Sequence, residues 1–181
     1  MRAADAVAAA VAAAPDALFV SSLGTATSAL RLASDDAPHL YLGGAMGCAL
    51  AAALGVAECR PERSVVAVVG DGELLMGASS LWSLAGLGPA NLLVLVLDDG
   101  RYSITGGQDL VGGSSFAGVA AALPGLHAVE APTIEAVGDA VRTLTRPGLV
   151  LAAIDEHVWP GPSPFVDPHD VRARFRAAAR P

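Results

Sequence analysis

The chain has 181 residues, 53% of them hydrophobic and only 16% charged, a composition that builds a core and excludes disorder as a description of most of it. Eighteen acidic residues against eleven basic ones give a formal charge of -7, which disfavours a nucleic-acid groove with its dense basic stripe. Every one of the eleven cations is arginine, and the absence of lysine removes the P-loop and any mechanism built on a lysine Schiff base.

Residues 3–14 read as a helix of alanines and valines, which Asp5 and the strand soon after Pro15 distinguish from an export signal. A strand over 17–22 follows, then a loop from Leu23 to Thr27. A short strand at 40–42 runs into Gly43-Gly44-Ala45-Met46-Gly47, and 48–59 has the composition of a closely packing helix that Pro61 stops. Cys48 and Cys59 at its ends have neither a disulfide framework nor a zinc-ligand spacing, and we read them as small buried residues.

The β-branched run 65–69 is the pattern of a strand covered on both faces, and it ends at Gly70-Asp71-Gly72. A helix over about 74–87 comes next, with Trp82 among its packing residues, then a second apolar strand, 92–97, ending at Asp98-Asp99-Gly100. Beyond a loop of glycines and serines (106–115) the chain offers a helix at 116–123, a strand at 127–130, a helix at 134–144 and a strand at 149–154. This alternation predicts a three-layer α/β/α fold with a mainly parallel sheet and ligands at the carboxyl ends of its strands. Residues 1–156 are expected to form that domain, and 157–181 a proline-rich arm with a short basic helix, Asp167 as its N-cap and Pro168 at N1. The histidines, His39, His127, His157 and His169, are scattered without a metal-ligand spacing. No apolar run approaches a membrane span, and the chain is expected to be cytoplasmic, with neither membrane nor nucleic acid as partner.

Chemistry concentrates in the two acidic turns. Gly-Asp-Gly alone is weak, since glycine turns with a capping aspartate are common. A second cluster, Asp98-Asp99-Gly100-Arg101-Tyr102, at the end of the expected neighbouring strand changes its meaning. Together they can set two carboxylates and a loop carbonyl around one hard cation, while the glycines let backbone approach a phosphate. Magnesium with a diphosphate is the natural occupant.

This pair resembles the signature of thiamine diphosphate enzymes, in which a Gly-Asp-Gly turn is followed one strand later by an asparagine-bearing turn. Gly44-Ala45-Met46-Gly47 upstream, and the run from Tyr102 through Ser103-Ile104-Thr105 to Gly106-Gly107-Gln108 downstream, are similar to stretches in sulfopyruvate decarboxylase β subunits and phosphonopyruvate decarboxylases. The resemblance implies the diphosphate-binding (PP) domain, with thiamine diphosphate and Mg²⁺ as cofactors. It implies that Asp71 binds the metal, that Asp99 stands in for the family's asparagine as second ligand, and that Arg101 offers its carbonyl. Gly72 and Glu73 would present N–H groups to the diphosphate, and Gly24 and Thr25, in the loop after the first strand, would close over it. Gly44 would accept from the cofactor's 4′-amino group, with Met46 as apolar wedge; Ala45, Gly70 and Tyr102 complete the cofactor set.

What the resemblance does not supply here is the glutamate that activates the aminopyrimidine. It comes from a pyrimidine-binding (PYR) domain, so the resemblance implies a partner α subunit, a heterotetramer, and a small 2-oxo acid as substrate. The family's Thr-His pair after Gly-Gly-Gln is replaced by Asp109-Leu110, which leaves that acid open. Carboligation of the acyloin or acetolactate type, and a non-catalytic cofactor-binding scaffold, stand as alternatives. A nicotinamide or flavin module is disfavoured, because no G-x-G-x-x-G follows the first strand.

Overall fold

A strand made of Val, Leu and Ala at all but one end residue must be covered on both faces, and three such strands side by side dictate the architecture. The computed structural model describes residues 1–111, 115–155 and 159–180. The middle of the 106–115 loop, the expected boundary between 156 and 157, His157 and Pro181 lie outside these.

Six parallel strands form one sheet in the order β2-β1-β3-β4-β8-β7. They are β1 (Leu18–Ser21), β2 (Leu40–Tyr41), β3 (Val65–Gly70), β4 (Leu92–Asp98), β7 (His127–Glu130) and β8 (Gly148–Ala153). In register, Ala67 stands between Val20 and Val94, and Leu95 stands opposite Val150. Successive side chains alternate between the faces. Val66, Val68, Leu93, Leu95 and Val150 pack under α1 (Ala3–Ala13), α2 (Gly24–Ser34) and α7 (Ile134–Thr143). Val65, Ala67, Val69, Val94 and Leu149 pack under α3 (Ala49–Cys59), α4 (Asp71–Met76), α5 (Ser79–Leu87) and α6 (Phe116–Ala122). The fold is thus a three-layer α/β/α sandwich.

Several local expectations are corrected. Gly24 and Thr25 do not lie in a loop but open α2, whose Ala26, Ala29 and Leu30 are buried. The expected helix at 74–87 is two helices, α4 beginning at Asp71 itself and α5 at Ser79. The break falls where Gly77 meets Gly47: a Cβ on Gly77 would sit 2.2 Å from the Gly47 carbonyl oxygen, so the chain bends where two backbones touch. Cys48 and Cys59 are exposed on the outward side of α3, not buried, and Trp82 is 57% exposed and so is not a core residue. A two-stranded antiparallel ribbon, β5 (Arg101–Tyr102) with β6 (Gln108–Asp109), gave no sequence signal.

The C-terminal segment is laid on the α2 side of the sheet. Gly161 donates its N–H to the Ser28 hydroxyl at 2.9 Å, and Arg31 donates to the Ser163 carbonyl. Helix α8 (Pro168–Ala178) starts with the Asp167 carboxylate accepting from the His169 N–H at 2.8 Å and buries Val171 in the core. Its negative end meets two cations, Arg60 donating to the Ala179 carbonyl and Arg63 to that of Ala178. Among the described residues no helix is long and apolar enough to cross a membrane.

Gly161 is where this strap tolerates nothing larger, because a Cβ would lie 2.6 Å from the Ser28 carbonyl oxygen and the Leu32 Cβ. Gly161→Ala is expected to lift the strap, costing about 1–3 kcal/mol in a denaturant titration and speeding proteolysis within 159–166; unchanged values for both would contradict this packing.

Candidate active site

The chain leaves β1 towards β2 on one side and β3 towards β4 on the other, so a crevice opens at the carboxyl ends of β1 and β3. A cavity of about 220 Å³ lies there. Of the twelve residues singled out above, all but Ala45 line it. Ile104 and Thr105, from the run downstream of Tyr102, also line it, as do Leu97 and Ile154, which nothing in the local sequence marked for a site.

Asp71 is the first residue of α4 and is only 2% exposed. One carboxylate oxygen accepts from the Gly72 N–H and the other from the Gly100 N–H, both at 2.7 Å, so this side chain joins the two acidic turns. Burial pushes its pKa up to about 7, and the neighbouring Asp99 charge adds to the rise against the opposing pull of those two N–H groups. Asp99 accepts from the Arg101 N–H at 3.0 Å and from the Ser103 hydroxyl at 2.5 Å, which folds the second turn around its own carboxylate. The Arg101 carbonyl is 3.6 Å from where a Cβ of Gly72 would stand, placing it beside the Asp71 turn. Among the described residues no cluster of three His, Cys, Asp or Glu side chains is arranged for a metal. A hard cation held by Asp71 and Asp99 would therefore complete its shell with backbone and ligand oxygens.

Two contacts make glycine obligatory in the walls. The Tyr102 ring lies 2.7 Å from the Cβ position of Gly72, and the Ile104 side chain 2.2 Å from that of Gly24, whose φ is +61°. The first turn of α2 thus abuts the cavity, and no side chain caps it. Its Thr25 hydroxyl oxygen is buried without a hydrogen-bond partner. An uncapped helix start beside an orphaned hydroxyl fits the oxygens of a bound phosphate.

Gly44, which also lines the cavity at φ +105°, donates to the Ser22 carbonyl at 3.0 Å, and its own carbonyl accepts from the Met46 N–H at 2.9 Å. Glu73 is 6% exposed, and its carboxylate accepts from the Ser22 hydroxyl at 2.5 Å and the Ala49 N–H at 3.4 Å. Burial raises its pKa to about 7 despite these bonds. The sequence pointed only to the backbone N–H of Glu73 and gave its side chain no role, because that side chain's partners are remote along the chain.

Residues 20–159 match the family described as thiamine pyrophosphate enzyme, C-terminal TPP binding domain, and the chain belongs to that family. It is 40% identical over 167 residues to a phosphonopyruvate decarboxylase of Streptomyces viridochromogenes, covering 90% of this chain and 42% of that protein. It is 38% identical over 93 residues to the sulfopyruvate decarboxylase subunit beta of Methanothermobacter thermautotrophicus, covering 51% of this chain and 50% of that one. The chain thus spans about half or less of the length of these relatives. Among solved structures, a 4-hydroxybenzoylformate decarboxylase of Rhodococcus jostii that depends on thiamine diphosphate superposes with a TM-score of 0.67 at 23% identity, over 87% of this chain and 33% of that one. A second, described as a putative thiamin diphosphate-dependent enzyme of Mycobacterium smegmatis, gives 0.67 at 19% identity, over 86% and 32%. Thiamine diphosphate is the cofactor for which this domain is built.

Two outcomes are expected. The folded pKa values of Asp71 and Glu73 lie above their ordinary ones, so their contribution to stability is fully present below about pH 4 and is lost as pH rises through about 7. Asp71→Asn should therefore gain on the wild type as pH rises across that window in denaturant titrations, and a constant difference would contradict the assignment. Thr25→Val removes an unpartnered buried hydroxyl, so it should hold or raise the melting temperature while weakening thiamine diphosphate binding about tenfold by calorimetry. Unweakened binding would remove Thr25 from the site.

Proposed function

We propose that this chain is the cofactor-binding subunit of a two-component 2-oxo acid decarboxylase that depends on thiamine diphosphate and Mg²⁺. The observation that carries the reading is the Asp71 carboxylate, buried at the carboxyl end of β3 and bound to both acidic turns, in a cavity that the uncapped start of α2 also lines. Asp71 and Asp99 would hold Mg²⁺ with the Arg101 carbonyl, each ligand bringing charge or dipole that the cation neutralises. The N–H groups of Gly72 and Glu73, and those of Gly24 and Thr25 with the Thr25 hydroxyl, would bind the diphosphate. Gly44, with Ala45 and Met46, would seat the aminopyrimidine end, and Gly70 and Tyr102 would shape the turn beneath the phosphates. Leu97, Ile104 and Ile154 would exclude water from the apolar side of the cavity. Bound in this place, thiamine diphosphate supplies the nucleophilic carbon and the electron sink that loss of CO₂ from a 2-oxo acid requires.

Glu73 is the sole glutamate among the described residues lining the cavity, and Ser22 and Ala49 already engage its carboxylate. The proton chemistry at the aminopyrimidine is therefore assigned to a glutamate of a PYR-type α subunit. Relatives of about twice this length, and others named as β subunits, support that division. A heterotetramer of two such chains and two partners is the simplest closed assembly.

The test is co-expression with a PYR-type chain from the same genome, followed by CO₂ release from a panel of 2-oxo acids. Activity should require both chains, thiamine diphosphate and Mg²⁺, and Asp71→Ala should abolish Mg²⁺-dependent cofactor binding in calorimetry. Cofactor binding indifferent to Asp71→Ala, or a reconstituted pair that releases no CO₂ from any acid of the panel, would overturn the proposal.

A further inference from the structure

The wall formed by residues 43–47 has a problem that its sequence cannot solve alone. Gly43, Gly44 and Gly47 take φ values of +64°, +105° and +83°, a backbone path that glycine permits but does not enforce. A segment with three such glycines has many alternative conformations, and holding it in one costs entropy that local contacts must offset. Within the segment two N–H groups find local acceptors, Met46 at the Gly44 carbonyl and Cys48 at that of Ala45. The start of α3 lacks a side-chain cap of its own, Cys48 standing at the N-cap position.

The missing acceptor comes from another element. The Glu73 carboxylate, reaching over from α4, takes the Ala49 N–H at the first turn of α3 at 3.4 Å. The same oxygen accepts the Ser22 hydroxyl at 2.5 Å, and the Ser22 carbonyl in turn holds the Gly44 N–H at 3.0 Å. One buried carboxylate thereby grips both ends of the segment, its start through Ser22 and its end through Ala49. Ser22 and Ala49 are completely buried, so water offers no replacement for a lost bond. The contact of Gly47 with Gly77 presses the far end of the segment against the end of α4, which leaves the loop no room to slide.

We propose that the Glu73 side chain is a positioning residue, a brace that fixes the Gly44–Met46 wall from both ends so that it presents one shape to the cofactor's aminopyrimidine end. The brace is a matter of hydrogen-bond acceptors and not of charge. The cofactor part of the inference rests on the function proposed above; the bracing itself does not.

Glu73→Ala and Glu73→Gln, made in the full chain, separate the two. In the cofactor-free protein, amide hydrogen exchange at residues 44–49 should accelerate about tenfold or more in Glu73→Ala, while the 134–143 segment on the opposite layer keeps its wild-type rate. Glu73→Gln retains an oxygen for Ser22 and Ala49 and should recover most of the protection. With Mg²⁺ and the partner chain present, Glu73→Ala should weaken thiamine diphosphate binding about tenfold in calorimetry, and Glu73→Gln should restore it in step with the exchange rates. Acceleration spread equally over 134–143, or loop protection unchanged in Glu73→Ala, would overturn the brace, as would failure of Gln to restore protection. A wild-type protein that binds no thiamine diphosphate would overturn the functional reading while the exchange comparison still judges the brace.

Discussion

Asp71 binds N–H groups from two turns that belong to different strands, and the site is organised around that one carboxylate. Parallel pairing of β3 with β4 brings Gly70 level with Leu97, so the turns leave the sheet side by side. The Asp71 side chain then joins them through Gly72 and Gly100. A buried carboxylate is costly unless it is hydrogen-bonded or paired, and two backbone donors only partly offset its desolvation. The strain left in this group, visible in its raised pKa, is of the kind a bound cation would relieve.

Close approach is the second ingredient, and it comes from omitted side chains. Tyr102 packs where Gly72 has no Cβ, and Ile104 where Gly24 has none, so the ribbon of β5 and β6 leans over both helix starts. Sheet order decides which turns become neighbours, glycine decides how near they come, and acidic side chains decide what they attract. Each of these depends on the one before. A substitution in the ribbon therefore acts on the α2 wall and on the acidic turns together.

Much of this was legible in the sequence because the most informative segments are locally unambiguous. Strands β3 and β4 are apolar on both faces and are punctuated by Gly-Asp-Gly and Asp-Asp-Gly, so their type, their ends and their chemistry could be read together. Helix α2 could not: Thr25, Thr27 and Ser28 are poor helix formers, and the helix exists because Ala26, Ala29 and Leu30 find a sheet to cover. The break between α4 and α5 depends on Gly47 touching Gly77, a contact between segments distant in the chain. The hydrogen bond from Ser22 to Glu73 spans 51 residues, and nothing near either residue announces it. Exposure of Cys48, Cys59 and Trp82 was misread for a related reason, since composition tells that a helix is apolar but not which of its sides the sheet will claim.

The strand order has a further consequence in time. Strand β4, apolar along nearly all its length, is flanked by β3, made just before it, and by β8, made only after α6, β7 and α7. Until β8 arrives, one edge of this apolar strand stays unpaired, and no hairpin can close it because every pairing in this sheet is parallel. The middle of the sheet is thus completed late, by a strand that itself contributes no residue to the lining of the cavity. Until β8 is made, the two acidic turns are joined to each other through Asp71, but the strand that carries the second of them still has an open edge.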